Sequence, residues 1–252
     1  MVFKEYMTLL LLGHIIGDYY LQTDMLAKKK DENINAVFLH SVIYALSMLA
    51  VMLPFLSVTT VLAWLLASLF HAAIDFLRFS VQRLLFPKGR IATELANIIF
   101  LVDQFLHALS LLLIGLIFGL KQITVTELPP FGALFEAIGL PGISIVSWLF
   151  VLLFLHKPAN MIVQAIIGDY VSPSPKQAEH DRNVGTAIGT MERIVMVVLI
   201  IIHQYFVIGL LIVAKSIARF LRIARERSFA EYYIIGTLAS TIIAIIAYQL
   251  LP

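Results

Sequence analysis

Cysteine is absent from the 252-residue chain, which excludes disulfides and thiolate metal ligands. Charge is scarce as well. Only 13% of residues are Asp, Glu, Lys or Arg, against about 25% in a soluble domain. No Walker, dinucleotide-binding or nucleophile-elbow pattern occurs, and a net charge of +2 offers nothing that points to nucleic acid. What fills the chain instead is apolar: 60% of residues are hydrophobic and the mean hydropathy is +0.93. The apolar runs are continuous rather than alternating. In hydrocarbon every backbone group must be satisfied internally, so such runs form helices and not a barrel. The fold class expected is therefore an all-α polytopic membrane protein. The first run has no small-residue cleavage site and reads as retained, not as a cleaved signal peptide.

Apolar segments fall at 5–21, 36–53, 58–79, 93–119, 143–168, 186–207, 209–226 and 231–250, against about 20 residues needed per span. Between the fourth and fifth lies a Pro/Gly-rich stretch, 120–142. It divides the chain into a first half, 1–119, and a second half, 143–252. Short loops rich in Lys and Arg stay in the cytoplasm. That rule puts the loops 22–35, 80–92, 170–185 and 222–230 inside, with both termini and 120–142 outside. It also requires a hairpin near His203–Gly209. One unbroken span over 186–227 would carry Lys215, Arg219, Arg222, Arg225 and Arg227 to the wrong side. Eight segments result, with seven as the alternative. The pentapeptide Ile15-Ile16-Gly17-Asp18-Tyr19 recurs as Ile166-Ile167-Gly168-Asp169-Tyr170, but nothing after it matches, so it does not establish a repeat.

Inside the apolar segments stand residues that hydrocarbon disfavours. His14 and Asp18 are four apart, as are His71 and Asp75 and, reversed, Asp103 and His107; His40 stands alone between them. Residues at i and i+4 share a helix face. At about 1.5 Å per residue, Asp18, His40 and Asp75 lie roughly 5–6 Å from the cytoplasmic ends of their helices. His14, His71 and Asp103 lie roughly 10–13 Å in, with His107 deeper. Four helices entering in alternate directions thus bring polar residues to overlapping depths in one leaflet. An ionisable group near the bilayer centre costs roughly 2.5–3.5 kcal/mol, so it faces a cavity and has a partner. Hydrogen bonds that merely join helices would satisfy one such pair. Seven residues on four helices point to a metal centre. Imidazole with carboxylate suits Zn, Mn or Fe. The ligands suffice for one or two ions per chain, and Asp18 and Asp103 are the candidate catalytic carboxylates.

The pattern Gly13-His14-x-x-Gly17-Asp18-x-x-Leu21-Gln22-Thr23, with His40-Ser41, His71-x-x-x-Asp75 and Asp103-Gln104-x-x-His107, resembles an uncharacterised bacterial integral-membrane family of unknown function. Glu192-Arg193, Ala214-Lys215-Ser216-x-x-Arg219-Phe220 and Glu231-Tyr232-x-x-Gly236-Thr237 resemble its longer members. The resemblance implies a multi-pass protein of the bacterial inner membrane and supplies no activity. The His/Asp layout is more loosely similar to membrane-bound, metal-dependent hydrolases, without matching their full motif.

In the second half Lys157, Glu192, Arg193, Lys215 and Arg219 also fall within apolar segments. Glu192 can neutralise one cation, and the surplus suits a phosphate, which Arg grips bidentately and Lys as a point charge. Arg219 can also snorkel to the interface. His156, His180 and His203 lack an i+4 carboxylate and are left out. The function expected is a metal-dependent hydrolase, acting from the cytoplasmic leaflet on a phosphorylated lipid or similar amphiphile. Its partners are then membrane lipids and that substrate. A metal- or proton-coupled transporter is the alternative, as is a non-catalytic scaffold or sensor. Nearly pure apolar outer ends weigh for a closed site over a transport path.

Overall fold

A computed structural model describes residues 2–86, 93–168 and 175–251. Among them no strand occurs. The helices are α1 (Val2–Ile15), continued as a π-helix over Ile16–Leu21, then α2 (Asp24–Lys30), α3 (Ile34–Met52), α4 (Val58–Leu85) and α5 (Thr93–Leu120). After these come α6 (Pro129–Ile138), α7 (Gly142–Ile167), α8 (Pro175–Ile201), α9 (Tyr205–Ala218), α10 (Phe220–Arg225) and α11 (Arg227–Tyr248). Six of them are long and apolar enough to cross a membrane: α3, with the 3-10 turn Leu53–Phe55 that follows it, α4, α5, α7, α8 and α11. The protein is multi-pass. The first helix with its π extension and the 14-residue α9 are shorter apolar elements.

The chain forms two compact units, residues 1–150 and 151–251, and the boundary falls inside α7. In the first unit small residues set the helix spacing. A Cβ at Gly13 would lie 2.4 Å from Met48 Sδ, and one at Gly17 would lie 2.8 Å from Ser47 Oγ and 3.3 Å from Tyr44 Cα. A Cβ at Gly119 would lie 3.0 Å from Phe3 Cα. The two Gly-x-x-x-Gly faces, Gly13/Gly17 and Gly115/Gly119, therefore let the first helix approach α3 on one side and α5 on the other. That close approach brings His14 and Asp18, the neighbours of Gly13 and Gly17, into the bundle.

The bundle is polar at one end of its interior and apolar around its outside. Along α4 the buried row is Ala63, Ala67, His71, Asp75 and Phe79, every fourth residue, while Leu62, Leu69, Leu77 and Leu84 are exposed. Along α5 it is Asp103, His107, Leu111, Ile114 and Phe118, with Val102, Phe105, Leu113 and Leu120 exposed. In lipid the exposed leucines face solvent of their own kind. The end remote from the His/Asp residues is closed by apolar groups. Tyr6 stacks on Phe118 at 5.1 Å, Phe55 on Phe135 at 6.2 Å, and Met48 and Met52 are fully buried. Leu128 N–H donates to Pro54 O at 2.8 Å, tying the start of α6 across that end.

Several boundaries differ from those expected. The stretch 120–142 is not wholly loop: Pro129–Ile138 is helical, ended by Gly139 in the left-handed region (φ 75°). A helix with Pro at its first positions and Gly just past its end follows the usual asymmetry. The helix α8 starts at Pro175, so much of the expected loop 170–185 is helix, again with Pro at the first position. The chain does turn between α8 and α9, but at Ile202–Gln204, and Gly209 is inside α9. His203 takes the left-handed conformation there, at φ 57°, which His adopts more readily than most residues. The expected segment 209–226 is interrupted at Arg219. Lys88 and Arg90, together with Asp169 and Tyr170 of the recurring pentapeptide, lie outside the described residues.

The turn at His203 carries a topology expectation. A cysteine replacing Arg225 in this cysteine-free chain should be protected from an impermeant thiol reagent added outside intact cells. It should react once the cells are opened. Reaction from outside would return the chain to seven segments.

Candidate metal centre

The seven His and Asp residues come from the first helix with its π extension and from α3, α4 and α5, and the structure brings them together. The π-helix matters first. It begins two residues after His14 and contains Asp18; such single-turn π segments, closed by i to i+5 bonds, are frequent at functional sites. His14 Nδ1 lies 3.8 Å from Asp18 Oδ2, the same separation as His107 Nδ1 from Asp103 Oδ2 on the regular α5. Asp18 Oδ1 reaches across to His40 Nε2 at 3.2 Å and His71 Nε2 at 3.4 Å. From α4, Asp75 Oδ2 approaches His71 Nε2 at 3.4 Å and His40 Nε2 at 3.6 Å, and the two Nε2 atoms are 3.2 Å apart.

These four atoms have five known separations, all between 3.2 and 3.6 Å. Donor atoms sharing one tetrahedral Zn²⁺ at about 2.0–2.1 Å are about 3.3–3.4 Å apart, and the trios His40/His71/Asp75 and His40/His71/Asp18 each have spacings of that size. The donor set fits a divalent cation. His40 and His71 are 0% and 1% exposed, Asp75 2%, and the Asp18 side chain 8%. Two buried imidazole nitrogens 3.2 Å apart can share at most one proton, and a carboxylate oxygen from each of Asp18 and Asp75 lies against the pair. Such a knot is costly unless a cation joins it. The His71 ring is held by Tyr44, which lies flat on it with centroids 3.5 Å apart and planes 3° from parallel.

Around this set lie residues that sequence reasoning did not assign. Lys30 was read only as part of the inside-positive run Lys28-Lys29-Lys30. In the structure it is 7% exposed, and its Nζ donates to Asp75 Oδ2 at 2.7 Å and to Gln22 Oε1 at 3.4 Å. Arg78 Nη1 donates to Asp103 Oδ2 at 3.4 Å and Nη2 to Asp31 Oδ1 at 3.4 Å. Gln104 accepts from Tyr19 Oη at 2.6 Å and donates to Asp103 Oδ2 at 3.2 Å, with His14 Nε2 3.4 Å from its Oε1. The side chains of Arg78 and Asp31 are 26% and 51% exposed, so the cluster grades outward at this end. Partial burial raises the Asp31 carboxyl above its usual pKa, and the Arg78 guanidinium opposes the shift. Arg78 stands three residues after Asp75 on α4, within one turn of that carboxylate, whereas Lys30 has no such mark in the sequence.

In the second half, Arg193, Lys215 and Arg219 have separate surroundings among the described residues. Arg193, 1% exposed, donates to Leu155 O at 3.0 Å, Asn160 Oδ1 at 2.7 Å and Ser240 Oγ at 3.3 Å. It thereby joins α7, α8 and α11. Lys215 pairs with Glu192. Glu192 is eleven residues before His203 and Lys215 twelve after it, so α8 and α9 run antiparallel. Arg219 lines a shallow surface pocket with Arg222 and Phe229. Lys157 is half-buried on α7.

Together these features define a multi-pass helical membrane protein with a buried His/Asp cluster. Residues 6–129 match a family described as "Protein of unknown function (DUF3307)". The match spans just under half of the chain and contains all seven residues of the cluster. It ends before the motifs at Glu192-Arg193, Ala214-Lys215-Ser216 and Glu231-Tyr232, whose resemblance it does not carry. No curated protein and no solved structure matches the chain.

Proposed function

We propose that the protein is an eight-span metal-dependent hydrolase of the bacterial inner membrane, acting on a phosphorylated lipid or similar amphiphile from the cytoplasmic leaflet. One observation carries the reading: the buried Nε2 atoms of His40 and His71 lie 3.2–3.6 Å from each other and from a carboxylate oxygen of Asp18 and of Asp75, spacings at which a divalent cation can be shared. When bound, a Zn, Mn or Fe dication supplies Lewis-acid polarisation of a phosphoryl oxygen and acidification of a water. The chain's own residues do the rest. His40 and His71 hold neutral nitrogens toward the centre, and Tyr44 keeps the His71 ring from turning. Asp18 and Asp103 are the carboxylates placed to accept a proton, Asp103 at the more open end beside Arg78. Lys30 and Arg78 are the cations bonded to the cluster's own carboxylates, and we place the phosphate on them. All four cations bond protein groups, but Arg193 is sealed among Asn160, Ser240 and Leu155 O and Lys215 pairs with Glu192, whereas the Arg78 side chain is 26% exposed beside Asp103. The apolar packing of Tyr6 on Phe118 and Phe55 on Phe135 supports a site reached from one side, as an enzyme acting from one leaflet uses it.

Thermal-shift screening of lipid phosphates and pyrophosphates against the metal-loaded protein tests the reading. A phosphorylated amphiphile should raise the melting temperature of wild type. Arg78→Ala should lose that shift while keeping its metal, because a lost charged hydrogen bond is worth about 1.5–3 kcal/mol. If no phosphate stabilises the protein while a transition-metal gradient drives uptake into proteoliposomes, the transporter reading replaces this one.

A further inference from the structure

We infer that the cluster holds a second divalent cation, bound by Asp103 and His107 and joined to the first through Asp75. The inference rests on the metal centre proposed above and extends it. Three overlapping trios each bring one ligand atom per residue within 4.8 Å of the others: His14, Asp18 and His71; His40, His71 and Asp75; Asp75, Asp103 and His107. The last two share only Asp75, so one carboxylate belongs to two positions.

His107 supplies the independent observation. Its Nδ1 is 2.9 Å from the backbone carbonyl of Asp103, and a carbonyl only accepts, so Nδ1 carries the proton. That leaves Nε2 as a bare lone pair. It has no hydrogen-bond partner, and the residue is 1% exposed. An imidazole that donates one nitrogen to a main-chain carbonyl and keeps the other free is oriented as metal-ligating histidines are. Its ring lies against those of His71 and His14, at centroid distances of 4.4 and 5.4 Å. Asp103 repeats the arrangement. Arg78 and Gln104 both bond to its Oδ2, while Oδ1 is buried and has no partner. Two lone-pair atoms, each pinned from its far side and each lacking a donor, are what a cation would satisfy.

Charge balance leaves room for a second cation only when an anion such as phosphate joins it. Asp18, Asp31, Asp75 and Asp103 carry four negative charges against Lys30 and Arg78, a formal balance of −2 with neutral imidazoles. One dication makes the cluster neutral. Two make it +2, which suits a phosphate. The ligands are nitrogen and oxygen only, the class that takes Mn²⁺, Fe²⁺ or Zn²⁺. Paired ions of this kind sit about 3.5–4 Å apart and clamp the attacking and leaving oxygens of a phosphoryl transfer.

The test uses Mn²⁺ as probe on chelator-stripped, full-length protein in detergent, with bound metal counted after equilibrium dialysis and low-temperature EPR recorded. Wild type should hold two Mn²⁺ per chain with an exchange-coupled multiline spectrum. His107→Ala should hold one and show the uncoupled six-line pattern. Asp103→Asn, nearly the same size, should do the same and decides the matter if His107→Ala does not fold. Wild type binding one Mn²⁺, or both variants still binding two, would overturn the second position and leave the first standing. Wild type binding none removes the first centre as well.

Discussion

Purified His71→Ala is expected to lose the metal of the first centre. His71 Nε2 lies 3.2 Å from His40 Nε2 and 3.4 Å from both Asp18 Oδ1 and Asp75 Oδ2, so it touches every other ligand of the set. It is also common to two of the three ligand trios. Removing an outer-shell partner typically costs 10–100-fold, about, in metal affinity, and losing a ligand that fixes the centre of the set exceeds that. Metal analysis of detergent-purified protein should fall by one ion per chain. The thermal shift that added metal produces in stripped wild type should shrink with it. Because Tyr44 stacks on the ring at 3.5 Å, alanine also leaves a gap. His71→Gln, which fills the gap without an imidazole, separates the two effects: it should fold better than alanine yet bind metal no better. Wild-type metal content in both variants would mean that His71 is packing, and the centre would have to be abandoned.

How much of this arrangement could be read beforehand follows from which features have a period. The pairs His71/Asp75 and Asp103/His107 were legible because a regular helix returns to the same face every fourth residue, and α4 and α5 are regular through them. The pair His14/Asp18 was found by the same rule, although the π-helical turn that contains Asp18 carries no compositional mark. The two glycine pairs explain why the first helix runs between α3 and α5, a consequence of shape that hydropathy does not register. Lys30 was invisible for a different reason. Three consecutive lysines on a seven-residue helix show no phase, and only the packing of α2 decides which one turns inward. Arg193 was legible as buried but not as satisfied: its acceptors, Leu155 O, Asn160 and Ser240, come from two other helices. At the α8–α9 turn, composition pointed to Gly209, whereas the chain reverses at His203, where the special conformation is tolerated and not demanded.

Lys30→Met should separate the metal-free state from the metal-loaded one. The substitution keeps an unbranched apolar side chain and deletes the charge that Asp75 Oδ2 holds at 2.7 Å. Both side chains are buried, 7% and 1% exposed, so water screens the pair little. Breaking a buried pair by removing one partner costs about 3–5 kcal/mol, because the remaining charge stays desolvated. Here the remaining charge also faces Asp18 across the two imidazoles, which adds repulsion. In chelator, Lys30→Met should therefore be less stable than wild type by about that amount. A bound dication reverses the deficit, since it neutralises the same oxygen that Lys30 served. The stabilisation by Zn²⁺ or Mn²⁺ should accordingly be larger in Lys30→Met than in wild type, read as the difference between melting curves with chelator and with metal. Equal stability of the two proteins in chelator would show that Asp75 does not depend on Lys30. A deficit that metal leaves untouched would show that the oxygen bound by Lys30 is not a ligand, and would move the cation away from Asp75.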